Sequence, residues 1–558
     1  GGGSIAVLGS NAVDEVHNTG RINGHIYTGD GDDIIDNGAG GEWYLGGSST
    51  DLGAGADQLN NAGLIVFGNG TMYLGDGDDV IVNSGDLVLG NAGIDLGLAD
   101  TTNSFDNTGT IHVIDSAFIN MGAGGTLYSD GTISFLDGAT DDMMTVYGNF
   151  AGAGDVNVDI DFIAGTSDML YIEGDITGPQ KTINVAAVNL PDTLTFDPIE
   201  VVVASGAAAA DSFVAGQLFG FEAELIEFGL SVEHEVVGTD NVFSIGIGID
   251  GLSNAGNLAV TLAPGVHSMI GTNVGTLRQR LGVLPELGDD RHGLGPWVRR
   301  FTSSGDIDAT GSGFAAGEDL RFSTDVDGTE VGMNFTIGHG FHYGVLLAKT
   351  DGRRNLSGGI GRDDIDLDSA GLYASWIADN FYVDASWRWM DFESWMRTAT
   401  GEYRASGNAR AFNIEAGYTG WEVGGFSLVP QLQYTRASID NVDSVGGTLT
   451  EVALDGGDGE RLRAGLGIER AFTTAGGYRL TPYGSLSAVS EMDGTSRFIV
   501  NGDASLSGEV EADGTYGLAE LGLGVQKNGW SASAGINWAD GGAIDSDFGG
   551  QVVVRYTW

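Results

Sequence analysis

Three short stretches of the chain repeat one arrangement of glycine and aspartate: GDGDDII from Gly29, GAGADQL from Gly53 and GDGDDVI from Gly75, all fitting G-x-G-x-D-x-[IL]. They start 24 and 22 residues apart, a spacing suited to one coil of stacked strands. Equivalent corners in successive coils would place Asp33, Asp57 and Asp79 in a column, neighbours about 4.8 Å apart, with Asp30 and Asp76 beside it. Like charges at that spacing repel. A bound Ca²⁺ with carboxylate and carbonyl ligands would remove the penalty. Alternatively, the side chains bond the corner amides and stay hydrated. The residues leave both open, and no other motif calls for a cofactor.

The motif is similar to the calcium-binding nonapeptide of RTX proteins, but those follow one another in tandem, whereas these recur once per coil. Catalytic signatures are missing: there is no G-x-S-x-G and no H-E-x-x-H. His17, His25, His112 and His234 are isolated in strand or turn contexts, where surface or corner roles are the simple reading. Zinc is disfavoured by scattered histidines and the lack of cysteine. No catalytic residue is assigned. Acid-only hydrolase or lyase chemistry on this half, or in a segment upstream of Gly1, remains the alternative.

The elements that must carry these residues follow from composition. Of 558 residues, 95 are glycine and eight proline, without a collagen period, so many strands and turns are expected. Residues 1–262 hold 38 Asp/Glu against two bases, Arg21 and Lys181. That half needs solvent, salt or cations, and nucleic acid is excluded as a partner. Between the Gly-Asp corners runs a second mark, N-x-G, at Asn18, Asn61, Asn83 and Asn107. GATDDMM from Gly138 and AGTSDML from Ala164 are weaker echoes of the first. Short strands between such corners predict a right-handed parallel β-helix over 1–164. The sequence begins either after processing or at a cut.

The stretch APGVHSMIGTNVGTLRQRLGVLPEL predicts one helix over about 264–283. Ile270, Val274, Leu277 and Leu281 form its stripe, Pro264 its first turn, and Gly282 and Pro285 its stop. Gly271 and Gly275 make the rod thin. Beyond it, twelve strand candidates alternate short links with long acidic ones, and no apolar run is long enough for a membrane helix. Phe381, Val383, Ala385, Trp387 and Trp389 share one face, opposed by Tyr382, Asp384, Ser386 and Arg388. The charged face suits a wet lumen and the apolar one lipid, so the reading is an all-β chain ending in a twelve-stranded antiparallel transmembrane barrel. A soluble barrel or sandwich is the competing reading.

Particular segments resemble the autotransporter (type Va secretion) family. SDMLYIEGDITG, with Asp168, Leu170, Ile172, Gly174 and Gly178, resembles the stem at the end of a passenger. TLRQRLGVLPELGDDRHGLGPWVRRF resembles the helix-to-barrel junction, and GGQVVVRYTW the closing strand. The resemblance implies a passenger over 1–164, an autochaperone-like stem over 165–262, a linker helix over 263–286 inside the lumen, and a barrel over 287–558. It implies that Arg278 and Arg280 seek inward acids such as Glu415, Glu469 or Glu520, unless they face water at the barrel mouth. It implies that Tyr556 and Trp558 form the signal read by the barrel assembly machinery. Asn273 lies where some members cut themselves, but GTNVGT lacks the double asparagine, so the passenger is expected to stay attached. The implied setting is outer-membrane lipid and lipopolysaccharide, with a monomeric barrel and a passenger on the cell surface. That passenger would be a non-enzymatic adhesin, self-association or envelope module facing an unknown surface ligand. An open pore or transporter is a third reading, which a helix in the lumen would rule out.

Overall fold

The computed structural model describes residues 4–97, 103–122, 124–189, 197–219, 224–282, 293–378, 380–440, 442–447 and 450–558. The chain divides into two compact units. The first comprises 1–222 and 228–250, the second 223–227 and 251–558.

The first unit is a parallel β-solenoid whose short strands stack coil on coil into three sheets. In one sheet Ile35, Leu59, Ile81, Phe105 and Leu127 lie in register and are buried, because alternate residues of each strand point inward. Each coil alone exposes this apolar edge, and the neighbouring coil covers it. The glycines of the repeated motif have a steric cause. Gly75 takes φ +108°, and a Cβ there would lie 1.4 Å from the Gly53 carbonyl oxygen. Parallel pairing continues through residue 164, with Thr145 beside Tyr171 and Asp155 beside Thr182. Antiparallel pairing enters at a hairpin, with Ile160 opposite Ser167, and again where Ile199–Ala204 meets Asp240–Leu252.

In the second unit three helices precede a barrel: α1 (Asn254–Val260), α2 (Leu262–Val274) and α3 (Leu277–Leu281). This corrects the single helix expected over 264–283. The rod starts ten residues earlier, on a Ser253 cap, and breaks at Gly275, whose φ of 61° and ψ of −172° leave the helical region. Residues 283–286, including Pro285, lie outside the described residues.

Twelve strands close the barrel: β1 (Gly293–Gly313), β2 (Leu320–Gly338), β3 (Phe341–Leu356), β4 (Gly361–Ala378), β5 (Phe381–Thr398), β6 (Glu402–Tyr418), β7 (Phe426–Asp440), β8 (Asp458–Glu469), β9 (Arg479–Met492), β10 (Gly514–Lys527), β11 (Trp530–Gly541) and β12 (Ile544–Tyr556). Closure is β1 on β12, from Trp297 opposite Arg555 to Ile307 opposite Ile544. Alternation is strict in β5: Trp387 and Trp389 are 40% and 49% exposed, whereas Asp384 and Arg388 are wholly buried. The outer face is an apolar band that includes Leu347, Leu432, Leu486 and Leu521. At the short-turn end aromatic pairs ring it, such as Phe381 with Tyr418 and Trp530 with Tyr556. The long loops after β7 and β9 carry strands: Thr495–Val500 pairs with both Glu451–Asp455 and Asp503–Glu511, and Asp503–Glu511 with the far end of β1.

Candidate functional site

The barrel lumen gathers the densest charged network of the second unit. Helix ends leave carbonyls without intrahelical partners and carry partial negative charge, and here arginines of the wall supply both needs. Arg354 of β3 donates to the Leu258 carbonyl at 2.8 Å and to Thr261 Oγ1 at 2.6 Å, closing α1. Asp363 of β4 holds it at 2.8 Å. At the end of α2, Arg299 of β1 donates to the carbonyls of Asn273 (2.9 Å) and Thr272 (3.1 Å). Arg388 of β5 reaches the Val274 carbonyl at 3.2 Å. Both guanidiniums share Glu330 of β2, at 3.2 and 2.9 Å.

The thin positions of the rod lie where these arginines cross it. A Cβ on Gly271 would sit 2.3 Å from the Arg461 guanidinium, and one on Gly275 3.0 Å from that of Arg299. After the break, Thr276 and Gln279 form a reciprocal capping box that restarts the helix. Each of the three acids named from the sequence meets α3. Glu415 accepts the Leu277 amide at 2.8 Å and the Tyr382 hydroxyl at 2.7 Å. Glu469 pairs with Arg278, and Glu520 accepts from Gln279 and, at 2.6 Å, from Arg463. Arg280 instead pairs with Asp384 and lies over the Tyr373 ring at 4.2 Å. Sequence reasoning gave no role to Asp384, Glu330, Arg299, Arg354 or Asp363. The available signal was that Asp384 and Arg388 lie on the polar side of an alternating strand.

Asn273, at the end of α2, is fully buried. Its side-chain nitrogen donates to Thr350 Oγ1 at 2.9 Å, and its side-chain oxygen accepts from Arg388 at 2.5 Å. In β12, Val553 and Arg555 face inward, while Val552 is 49% exposed. Tyr556 packs between Trp530 and Trp558, its ring tilted against both, at centroid distances of 4.8 and 5.7 Å.

In the solenoid, the repeated aspartates form a ladder of acceptors. Asp33, Asp57 and Asp79 are buried, and each side-chain Oδ1 takes the backbone N–H one coil earlier: that of Asp14 (2.7 Å), Asp33 (2.8 Å) and Asp57 (2.9 Å). Asp30 and Asp76 do not join it; both are exposed. Calcium takes six to eight oxygens, and a sealed column with one unpartnered oxygen per coil does not supply them. Among the described residues no group of three or more His, Cys, Asp or Glu is arranged to hold a metal.

Burial pushes the carboxyl of Asp57 up to about 7, and the neighbouring carboxylates add to this against the opposing amide bond. Burial likewise raises Asp79 to about 6. The weaker echoes build a second ladder on another corner, where Asp142 accepts from the Asp115 amide and Asp168 from the amides of Asp142 and Asp159. Burial raises these to about 6 and about 7. The four N-x-G asparagines, joined by Asn37, form a third column of side-chain amide bonds, Asn18 to Asn37 to Asn61 to Asn83 to Asn107, at 2.7–2.8 Å, ending on Ser129 Oγ at 3.0 Å.

The family model described as the autotransporter beta-domain matches residues 296–537. The chain is 29% identical over 326 residues to the pertactin autotransporter of Bordetella bronchiseptica, covering 55% of this chain and 33% of that protein. It is 27% identical over 322 residues to the BrkA autotransporter of Bordetella pertussis, with 55% and 30% covered. It is also 28% identical over 305 residues to the uncharacterized protein YaiT of Salmonella typhimurium, with 51% and 29% covered. The chain thus spans about a third of the length of these curated relatives. Among solved structures, the beta domain of Bordetella BrkA aligns at 21% identity and TM-score 0.36, over 48% of this chain and 100% of that one. The translocator domain of NalP from Neisseria meningitidis aligns at 16% and 0.41, over 53% and 99%.

Proposed function

We propose that this chain, whose barrel matches the autotransporter beta-domain over residues 296–537, is a type Va autotransporter whose outer-membrane barrel exports and anchors the β-solenoid as its passenger, and that this passenger stays attached and serves as a non-enzymatic surface module. The observation that carries this reading is the fixed state of Asn273. Cleavage by an asparagine requires its side-chain nitrogen to turn onto its own carbonyl carbon. Here that nitrogen is engaged by Thr350, the side-chain oxygen by Arg388 and the main-chain oxygen by Arg299. Turning the amide would break the charge-assisted bond from Arg388, worth about 1.5–3 kcal/mol, and the neutral bond to Thr350, worth about 0.5–1.5 kcal/mol. The lateral faces of a solenoid offer long contact surfaces for adhesion, self-association or envelope contacts.

The test expresses the chain in a Gram-negative host. External protease on intact cells should remove the solenoid, and without protease barrel and passenger should run as one polypeptide. Cells displaying the chain should attach to surfaces or to one another more than cells lacking it. A passenger found free in the medium would overturn retention, and equal attachment would overturn the surface-module role.

A further inference from the structure

On the outer face of one solenoid sheet, neighbouring strands place Met143 beside Met169, and Thr145 beside Tyr171, which in turn lies beside Val203. Met143 and Tyr147 are 37% and 41% exposed. A hairpin, with Ile160 opposite Ser167, stands along one edge and presents Ile163, 65% exposed. Its returning strand is tied down by two neighbouring side chains: Thr166 Oγ1 meets Thr140 Oγ1 at 2.7 Å, and Ser167 Oγ donates to the Glu200 carbonyl at 2.5 Å. These elements bound a groove with two lobes that share Tyr171. Asp197 and Glu200 stand in one lobe, Glu173 and Asp240 in the other, and no lysine or arginine lines either.

The charges decide the occupant. Of the passenger's two bases, Lys181 is buried and spends its ammonium on the carbonyls of Thr177 and Pro179. Arg21 lies over Tyr44, early in the solenoid. A second copy of this chain, or an anionic polysaccharide, would bring more negative charge to four carboxylates. We propose that this groove binds an extended basic segment of another protein. Arginine or lysine side chains would pair with Glu173, Glu200, Asp197 and Asp240, and their stems or guanidinium planes would stack on Tyr147 and Tyr171. The inference rests on the surface-module reading and gives that module's partner a chemical class.

The probe is a fluorescent peptide alternating arginine and glycine, titrated onto the full chain in detergent micelles at physiological salt. The variants are Glu173→Gln/Glu200→Gln and Tyr147→Ala, with Asp30→Asn/Asp76→Asn as an exposed control of equal charge change elsewhere on the solenoid. The expected result is about a tenfold or greater loss of affinity, some 1.4 kcal/mol, for each groove variant and less than about twofold for the control. Equal weakening by control and groove variants would mean bulk attraction to a polyanion and would overturn the groove, as would absence of binding by the parent chain. Cells displaying the groove double variant separate the two readings. If they attach as well as the parent while passenger-free cells do not, the groove fails and the surface module stands.

Discussion

The backbone N–H of Asp79 donates to the side-chain oxygen of Asn103 at 3.0 Å, the same bond that Asp57 and Asp33 make to the aspartate of the next coil. A neutral amide therefore does in one coil what a carboxyl does in the others, and only the oxygen that accepts the main-chain proton is needed. A buried carboxyl held at about 6–7 keeps its proton in the folded state at pH values where the unfolded chain has lost it. Its stabilisation is complete below about pH 4 and is lost as pH rises through 6 to 7. The passenger should accordingly lose stability as pH rises from about 4 to 7 and level off above that. Asp57→Asn should flatten that slope, whereas Asp30→Asn, on an exposed side chain, should not. Hydrogen exchange of the amides of Asp33 and Asp57 in the full chain, followed against pH, is the measurement. A slope unchanged by Asp57→Asn would refute the protonated ladder. Chelator should leave the exchange unaltered, since the column does not assemble a calcium sphere.

The asparagine column makes a separate demand. Asn83 donates to Asn107 and accepts from Asn61, both at 2.7 Å, with no solvent to replace either partner. Asn83→Ala leaves two buried groups unpaired at about 1–3 kcal/mol each. It should open the coils on both sides, read as a loss of amide protection for Asn61 and Asn107. Asn83→Ser should cost less, because the column already ends on a hydroxyl at Ser129. Equal loss for both variants would contradict this account.

In the lumen, removing one partner of a buried ion pair costs about 3–5 kcal/mol, since the other charge stays buried alone. Arg354→Ala strands Asp363 and frees the last carbonyls of α1; Arg299→Ala frees the last carbonyls of α2 but leaves Glu330 paired with Arg388. The lumen should then leak. In planar bilayers the parent should show rare, brief openings, and each variant longer and more frequent ones. Arg354→Ala combined with Asp363→Ala should be quieter than Arg354→Ala alone, because the stranded carboxylate is gone. A silent Arg354→Ala channel would show that the rod is held by other contacts.

Much of this was legible in the sequence where one residue type repeats with the period of its element. Strand β5 alternates without a fault, and Gly29, Gly53 and Gly75 recur because a carbonyl of the neighbouring coil fills the space of a side chain. Asn103 stayed hidden. It lies six residues after Gly97 rather than four and carries an amide in place of the carboxyl, so the pattern skipped a coil that the ladder includes. Asn37 was missed for a like reason: the glycine that packs against it is Gly41, four residues on. The break at Gly275 was illegible because the stripe Ile270, Val274, Leu277, Leu281 keeps helical spacing across it. The group that crosses the rod at this point is the guanidinium of Arg299, distant in sequence, 3.0 Å from where a side chain on Gly275 would start. Likewise, nothing local pairs Arg280 with Asp384, 104 residues away.

The outward face of the barrel separates lipid from water as its surroundings. Leu432 is 53% exposed in the middle of β7, and its neighbours Gln433 and Tyr434 show the alternation, the first buried and bonded to Asn413 at 2.9 Å. On a water-facing strand, Leu432→Arg would change stability by no more than about 0.5 kcal/mol. At the midplane of a bilayer the same change costs about 2–4 kcal/mol, because the guanidinium must leave water or drag it along. Urea titration of the barrel refolded in lipid vesicles, followed by its heat-modifiable mobility, should therefore show Leu432→Arg destabilised by that larger amount. Val423→Arg, in the short turn segment Trp421–Val423 at the edge of the apolar band, should cost about 0–1 kcal/mol. Equal and small costs at both positions would mean that no hydrocarbon surrounds Leu432.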